Sequence, residues 1–99
     1  MRVRFSRRAT NDLISINDYL SLRSPRGATS VMSAVYAAVE FIRRHPKAAE
    51  LTRIHGVRGK IVRKFRFKIF YRVIAENDLI EIVHVRHGSR RPWEEDLPE

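Results

Sequence analysis

Apolar residues along this chain first alternate, then recur with a helical period, then alternate again. Val3 and Phe5 alternate with Arg2 and Arg4, the pattern of a short strand with one buried face. Ser6 offers an N-cap hydroxyl ahead of Ala9, Leu13, Ile16 and Leu20, whose spacings of four, three and four stack them on one helical face. A first helix is predicted over roughly residues 7–23. Ser24-Pro25 ends it, because the residue before a proline is pushed out of the helical region while proline suits a new helix's first turn. Ala28, Val31, Met32, Val35, Tyr36, Val39 and Ile42 then form a wide apolar stripe. It runs to Arg43-Arg44-His45, cations that favour a helix C-terminus, before Pro46. So short a break makes the two helices an antiparallel hairpin.

From Val57 the period moves toward two, with Val57, Ile61 and Phe65 in phase and Phe67, Ile69, Tyr71 and Val73 likewise. Glu76-Asn77-Asp78 supplies turn residues, and the run Leu79 to Val85, largely apolar on both faces, reads as a central strand. The interval from Lys47 to His55 shows no clear period and reads as loop or an extra helical turn. The predicted fold class is α+β: a helical hairpin packed on a four-stranded, mainly antiparallel sheet, in the order β-α-α-β-β-β. Residues 1–99 form one domain, with 93–99 as an acidic C-terminal tail, since a chain of this length supports one core and no second.

Charge narrows the class of partner. The chain carries 20 Lys+Arg against 11 Asp+Glu, a net charge of +9. No acid falls between Glu50 and Glu76, while Arg53, Arg58, Lys60, Arg63, Lys64, Arg66, Lys68 and Arg72 all do. Such a block attracts polyanions or an acidic protein segment. The absence of cysteine leaves no disulfide framework and suits a reducing compartment. The longest charge-free stretch, Gly27 to Val39, is too short to cross a bilayer, and the N-terminus lacks a signal-peptide pattern. A cytoplasmic protein with no membrane partner is expected.

The candidate chemistry is sparse. Around residues 67–74, alternation sends Lys68, Phe70, Arg72 and Ile74 to the face opposite Phe67, Ile69, Tyr71 and Val73, so one face mixes cations with a ring, either as a nucleic-acid surface or with Phe70 as core beneath the helical hairpin and the cation stems snorkelling past it. His84 and His87, three apart on a strand, point to opposite faces, which is poor geometry for a metal. No metal and no cofactor are expected. Metal-free RNA cleavage needs a proton acceptor, a proton donor and cations for the crowded phosphate, and Lys60, Lys68, Arg86 and His87 are the residues that would compose such a site. No Gly-rich phosphate loop, zincin helix or nucleophile elbow occurs.

The opening Val3-Arg4-Phe5-Ser6-Arg7-Arg8-Ala9 with Asp12-Leu13 and Ile16, then Ser24-Pro25 and Ala28, Ile69-Phe70-Tyr71-Arg72-Val73, and Ile82-Val83-His84-Val85-Arg86-His87-Gly88 together carry a resemblance. From about residue 3 to residue 91 the chain resembles the ParE branch of the RelE/ParE toxins of type II toxin-antitoxin systems. The resemblance implies a compact α+β toxin inactivated by a cognate antitoxin whose acidic, partly disordered segment wraps around it, in a hetero-oligomer. ParE-like members inhibit DNA gyrase; RelE-like members are ribosome-dependent ribonucleases acting on mRNA, with Lys and Arg on the sheet and often a C-terminal tyrosine or histidine. Here Arg91 is followed by Pro92-Trp93 and acids, with no C-terminal tyrosine. A gyrase-inhibiting binding protein is therefore favoured, with the endoribonuclease and a degenerate toxin kept for antitoxin or operator binding as alternatives. Target contacts are expected at Arg72, Arg86, His87, Arg90 and Arg91, and antitoxin contacts at Arg58, Arg63, Arg66 and Phe70.

Overall fold

The computed structural model describes residues 1–87. Strand β1 (Arg2–Phe5) leads into helices α1 (Arg7–Arg23) and α2 (Pro25–Arg44), followed by strands β2 (Glu50–Leu51), β3 (Val57–Val62), β4 (Phe67–Ile74) and β5 (Leu79–His87). Both helix starts follow the capping logic. Ser6 Oγ accepts from the Ala9 N–H and Ser24 Oγ from the Gly27 N–H, each at 3.0 Å, which satisfies donors that the first turn leaves without partners.

Among the described residues the sheet has five strands, in the order β1-β5-β4-β3-β2, rather than the expected four. The extra one is β2, two exposed residues paired antiparallel with Gly59 and Arg58 of β3. Two residues are too few to show a period, so tertiary contacts create this strand. The Arg58 guanidinium donates to the carbonyls of Lys47 and Ala49 at 3.3 and 2.8 Å, drawing the chain after α2 along β3. The sheet is mixed, since β1 runs parallel to β5 while β4 runs antiparallel to it. With a neighbour on each side, β5 is central, which is why its residues are apolar on both faces.

The hairpin covers one face. Ala9 and Leu13 of α1 and Val31, Val35, Val39 and Ile42 of α2 pack on Phe67, Ile69, Tyr71, Ile80, Ile82 and Val85. Tyr71 ties the sheet to the end of α2, its hydroxyl donating to the Pro46 carbonyl at 2.8 Å. Burial raises the Tyr71 phenol above its ordinary value of 10.0, while the Arg58 guanidinium and the Ala49 backbone pull partly the other way. The unfolded chain then releases this proton first, so stability is complete below about pH 10 and is lost as pH rises through the folded-state value. Tyr71→Phe should cost about 1 kcal/mol at neutral pH through the lost hydrogen bond and flatten the alkaline loss. Denaturant titrations at stepped pH test this; parallel losses in the two proteins above that pH would exclude Tyr71 as the cause.

Candidate functional site

A register shift between Phe70 and Tyr71 decides what the other face of the sheet presents. Phe70 pairs with His84 and Tyr71 with Ile82, leaving Val83 as an extra residue on β5, the signature of a β-bulge, which re-aims the side chains beside it. Ile82 and Val85 join the core under the hairpin, whereas Val83 packs with Val57 and Phe70 in a second cluster. His84 stacks on Phe70 with ring centroids 5.7 Å apart and planes 14° from parallel. Val83 and His84 thus both lie on the outer face.

Among the described residues, β5 has no strand on the β1 side beyond Ile82, and α1 takes over that edge. The Ser6 backbone N–H donates to the Ile82 carbonyl at 2.9 Å and its hydroxyl to the Val83 carbonyl at 3.1 Å. Asp12 Oδ2 accepts from the Val85 N–H at 3.0 Å and lies 2.6 Å from His84 Nδ1. A carboxylate partner makes Nδ1 the donor of that bond. His84 is buried, and its Nε2 meets no partner among the described residues. Sequence reasoning passed over this pair; the one available signal was that Asp12 stands three residues after Ala9 and next to Leu13, on the buried side of its helix.

The expected site residues do not converge. Lys68 and Arg86 face each other across β4 and β5, on the outer face with Phe70. Lys60 pairs with Ile69 and sets its ammonium 4.5 Å from the Phe41 ring on the hairpin side. His87 also turns to the hairpin side, edge-on to Phe67 at 5.3 Å. The four residues proposed for RNA cleavage are therefore divided between two faces. Gly59 makes room for Lys68, whose Cε would lie 2.6 Å from a Cβ at that position.

Of the expected antitoxin contacts, Phe70 is fully buried and Arg58 is committed to the loop after α2, whereas Arg63 and Arg66 are exposed in the β3–β4 turn. Of the expected target contacts, Arg72 is half-buried between Val57 and Glu81, and Arg86 is buried. Arg90 and Arg91 lie outside the described residues, as do Trp93 and the acidic tail.

Two surface features remain. An open groove of about 270 Å³ runs between α1 and α2 over β1, lined by Phe5, Leu13, Ile14, Met32 and Tyr36 with Thr10 and Asn17 at its polar margin. Ile14 and Tyr36 are each about half exposed, at 53% and 52%. The second feature is a charge gradient along the strands. The β3–β4 turn, with Arg63, Lys64 and Arg66, sits beside the His87 end of β5, and the β4–β5 turn, with Glu76 and Asp78, at the opposite end. Among the described residues, no group of three or more His, Cys, Asp or Glu is placed to hold a metal, and no helix is long and apolar enough to cross a membrane.

The model of the ParE toxin family of type II toxin-antitoxin systems, parDE, matches residues 3–92. The chain belongs to this family. A chromosomal ParDE toxin-antitoxin system from P. aeruginosa shares its fold at TM-score 0.76 and 21% identity, over 88% of this chain and 95% of that one. The isolated E. coli RelE toxin follows at TM-score 0.68 and 15% identity, over 96% and 92% of the two chains. The intact E. coli RelBE toxin-antitoxin complex gives TM-score 0.68 and 16% identity, over 90% and 98%. No curated protein sequence matches significantly. The chain is thus a type II toxin with the ParE/RelE fold.

Proposed function

We propose that this ParE-family toxin stops growth by binding DNA gyrase, and that a cognate antitoxin neutralises it by seating apolar side chains in the α1–α2 groove. Membership of the ParE family supports the target, and the toxin-antitoxin assemblies among its structural relatives support the partner. The observation that carries the choice of a binding protein over a nuclease is the division of Lys60 and His87 from Lys68 and Arg86 by the sheet itself. A phosphate on one face cannot be met by acid-base groups on the other.

One arrangement favours a second reading. His84, held by Asp12, shares the outer face with Lys68 and Arg86, which assembles a base and two cations for a ribonuclease without His87. Its Nε2 is shut away from solvent, so this set needs an opening before RNA reaches it.

The deciding experiment runs gyrase supercoiling with antitoxin-free toxin beside ribosome-programmed mRNA cleavage. Inhibited supercoiling with intact mRNA is expected, and His87→Ala should weaken inhibition only modestly, as one residue of a broad contact does. Cleaved mRNA with unaffected gyrase would overturn the proposal and make His84 the next residue to substitute.

A further inference from the structure

Two turns of this sheet share one backbone and differ in chemistry. The β3–β4 and β4–β5 hairpins are each closed by a three-residue 3-10 turn, Arg63–Phe65 and Ala75–Asn77, followed by a residue in the left-handed conformation. Arg66, at φ 58°, donates its N–H to the Arg63 carbonyl at 3.3 Å; Asp78, at φ 51°, donates to the Ala75 carbonyl at 3.1 Å. Left-handed backbone is disfavoured for residues with long side chains and accepted by glycine, asparagine and aspartate. Asp78 follows that preference. Arg66 goes against it, and the twin turn shows that the geometry itself requires nothing basic.

The cations of this turn do not hold it together. The side chains of Arg63 and Arg66 form no hydrogen bond or ion pair among the described residues, and Lys64 only lies 5.3 Å from the ring of its neighbour Phe65. Phe65 is itself half-buried against the core. The turn itself therefore offers three exposed charges and no exposed apolar side chain; Ile61, two residues before it on β3, is half exposed, and the apolar groove is elsewhere, between the helices. Clustered, unpaired cations at a turn suit a phosphate backbone, where binding comes from neutralised charge and released counterions. A backbone position that keeps a disfavoured residue points the same way, to a role outside the fold.

We propose that the β3–β4 turn, through Arg63, Lys64 and Arg66, contacts the phosphate backbone of duplex DNA. The source of that duplex rests on the gyrase reading: it is the DNA that gyrase holds while the toxin binds. The contact itself is measurable with no gyrase present.

The test titrates antitoxin-free toxin against a labelled duplex across a series of salt concentrations. Wild type should bind with a strong salt dependence. The triple variant Arg63→Gln, Lys64→Gln, Arg66→Asn should bind at least about tenfold more weakly at low salt, with the slope of log affinity against log salt reduced by about 3. Arg66→Asn alone gives the turn the kind of residue its twin has. It should melt no lower than wild type while binding DNA more weakly, a combination that a structural arginine would not show. Wild-type binding by the triple variant, or a clear drop in melting temperature for Arg66→Asn, would overturn the proposal. So would loss of antitoxin affinity in the triple variant with DNA binding intact, which would assign the turn to the protein partner. Gyrase inhibition without duplex binding refutes this inference alone; duplex binding without gyrase inhibition leaves the contact standing and refutes the gyrase reading.

Discussion

Asp12→Ala is expected to remove about 3 kcal/mol of folding stability and to lower the melting temperature by roughly 10–20 °C. One carboxylate oxygen serves two buried donors, the Val85 N–H at 3.0 Å and His84 Nδ1 at 2.6 Å. Alanine leaves both without an acceptor, in a region where Val85 and His84 are 2% and 4% exposed. Each abandoned buried donor costs about 1–3 kcal/mol, against a total stability of about 5–15 kcal/mol for a domain of this kind. Two further variants separate the terms. Asp12→Asn keeps one carbonyl acceptor and should fall between alanine and wild type. His84→Phe leaves Asp12 to serve Val85 and replaces the histidine, with its unpartnered Nε2, by a ring suited to the Phe70 stack. It should stay within about 1 kcal/mol of wild type, because no buried donor is stranded: Asp12 Oδ2 keeps the Val85 N–H and its side chain is 22% exposed to water. Urea denaturation measures all three, and an Asp12→Ala variant as stable as wild type would show that α1 does not seal the β5 edge through this residue.

Ile14→Asp is expected to weaken antitoxin binding about 100-fold, close to 2.7 kcal/mol, with little change in the toxin's own stability. Ile14 projects from α1 into the groove beside Tyr36 and Met32, and about half of its surface is already in water. The folded toxin loses little when such a side chain becomes polar. A complex that covers it must bury a carboxylate against apolar walls with no cation among the groove's lining residues. The variant should still act on its target while escaping neutralisation. Calorimetric titration with antitoxin reads the affinity, and growth on co-expression reads the escape. Unchanged affinity would move the antitoxin away from this groove, toward the exposed Arg63 and Arg66 named from sequence.

Legibility in the sequence followed the range of the interactions. The two helices appear in the structure where the pattern put them, Arg7–Arg23 and Pro25–Arg44, because a capping serine, an apolar face at helical spacing and a proline break all act within a few residues. Alternation along β4 sorted Lys68, Phe70 and Arg72 from Phe67, Ile69 and Tyr71, and it also separated His84 from His87. Centrality of β5 was readable from its two apolar faces. These are consequences of local period and need no knowledge of neighbours.

The remainder depended on which segments meet. β2 exists because Arg58 gathers two carbonyls of a loop that has no period of its own. Phe70 reads either as a ring on a nucleic-acid surface or as core beneath the hairpin; it is core, but buried with Val57 and Val83 on the face away from the hairpin. Lys60, Lys68, Arg86 and His87 have the chemistry of a nuclease set, but the pairing register sends them to different faces. Asp12 and His84 are 72 residues apart, and neither implies the other. The sequence by itself determined the helices, the alternation along β4, the basic charge and the resemblance to its family, since each is written in spacing or composition. The expected phase of Val57, Ile61 and Phe65 is not kept, since β3 ends at Val62, Ile61 is half exposed and Phe65 turns to the hairpin-side core while Val57 packs on the other face. Only the tertiary structure decided the edge that Asp12 seals, the groove beside Ile14 and the strained Arg66 at a basic turn. Those depend on strand register and on a bulge at Val83, where one residue more or less changes the face on which a side chain lies.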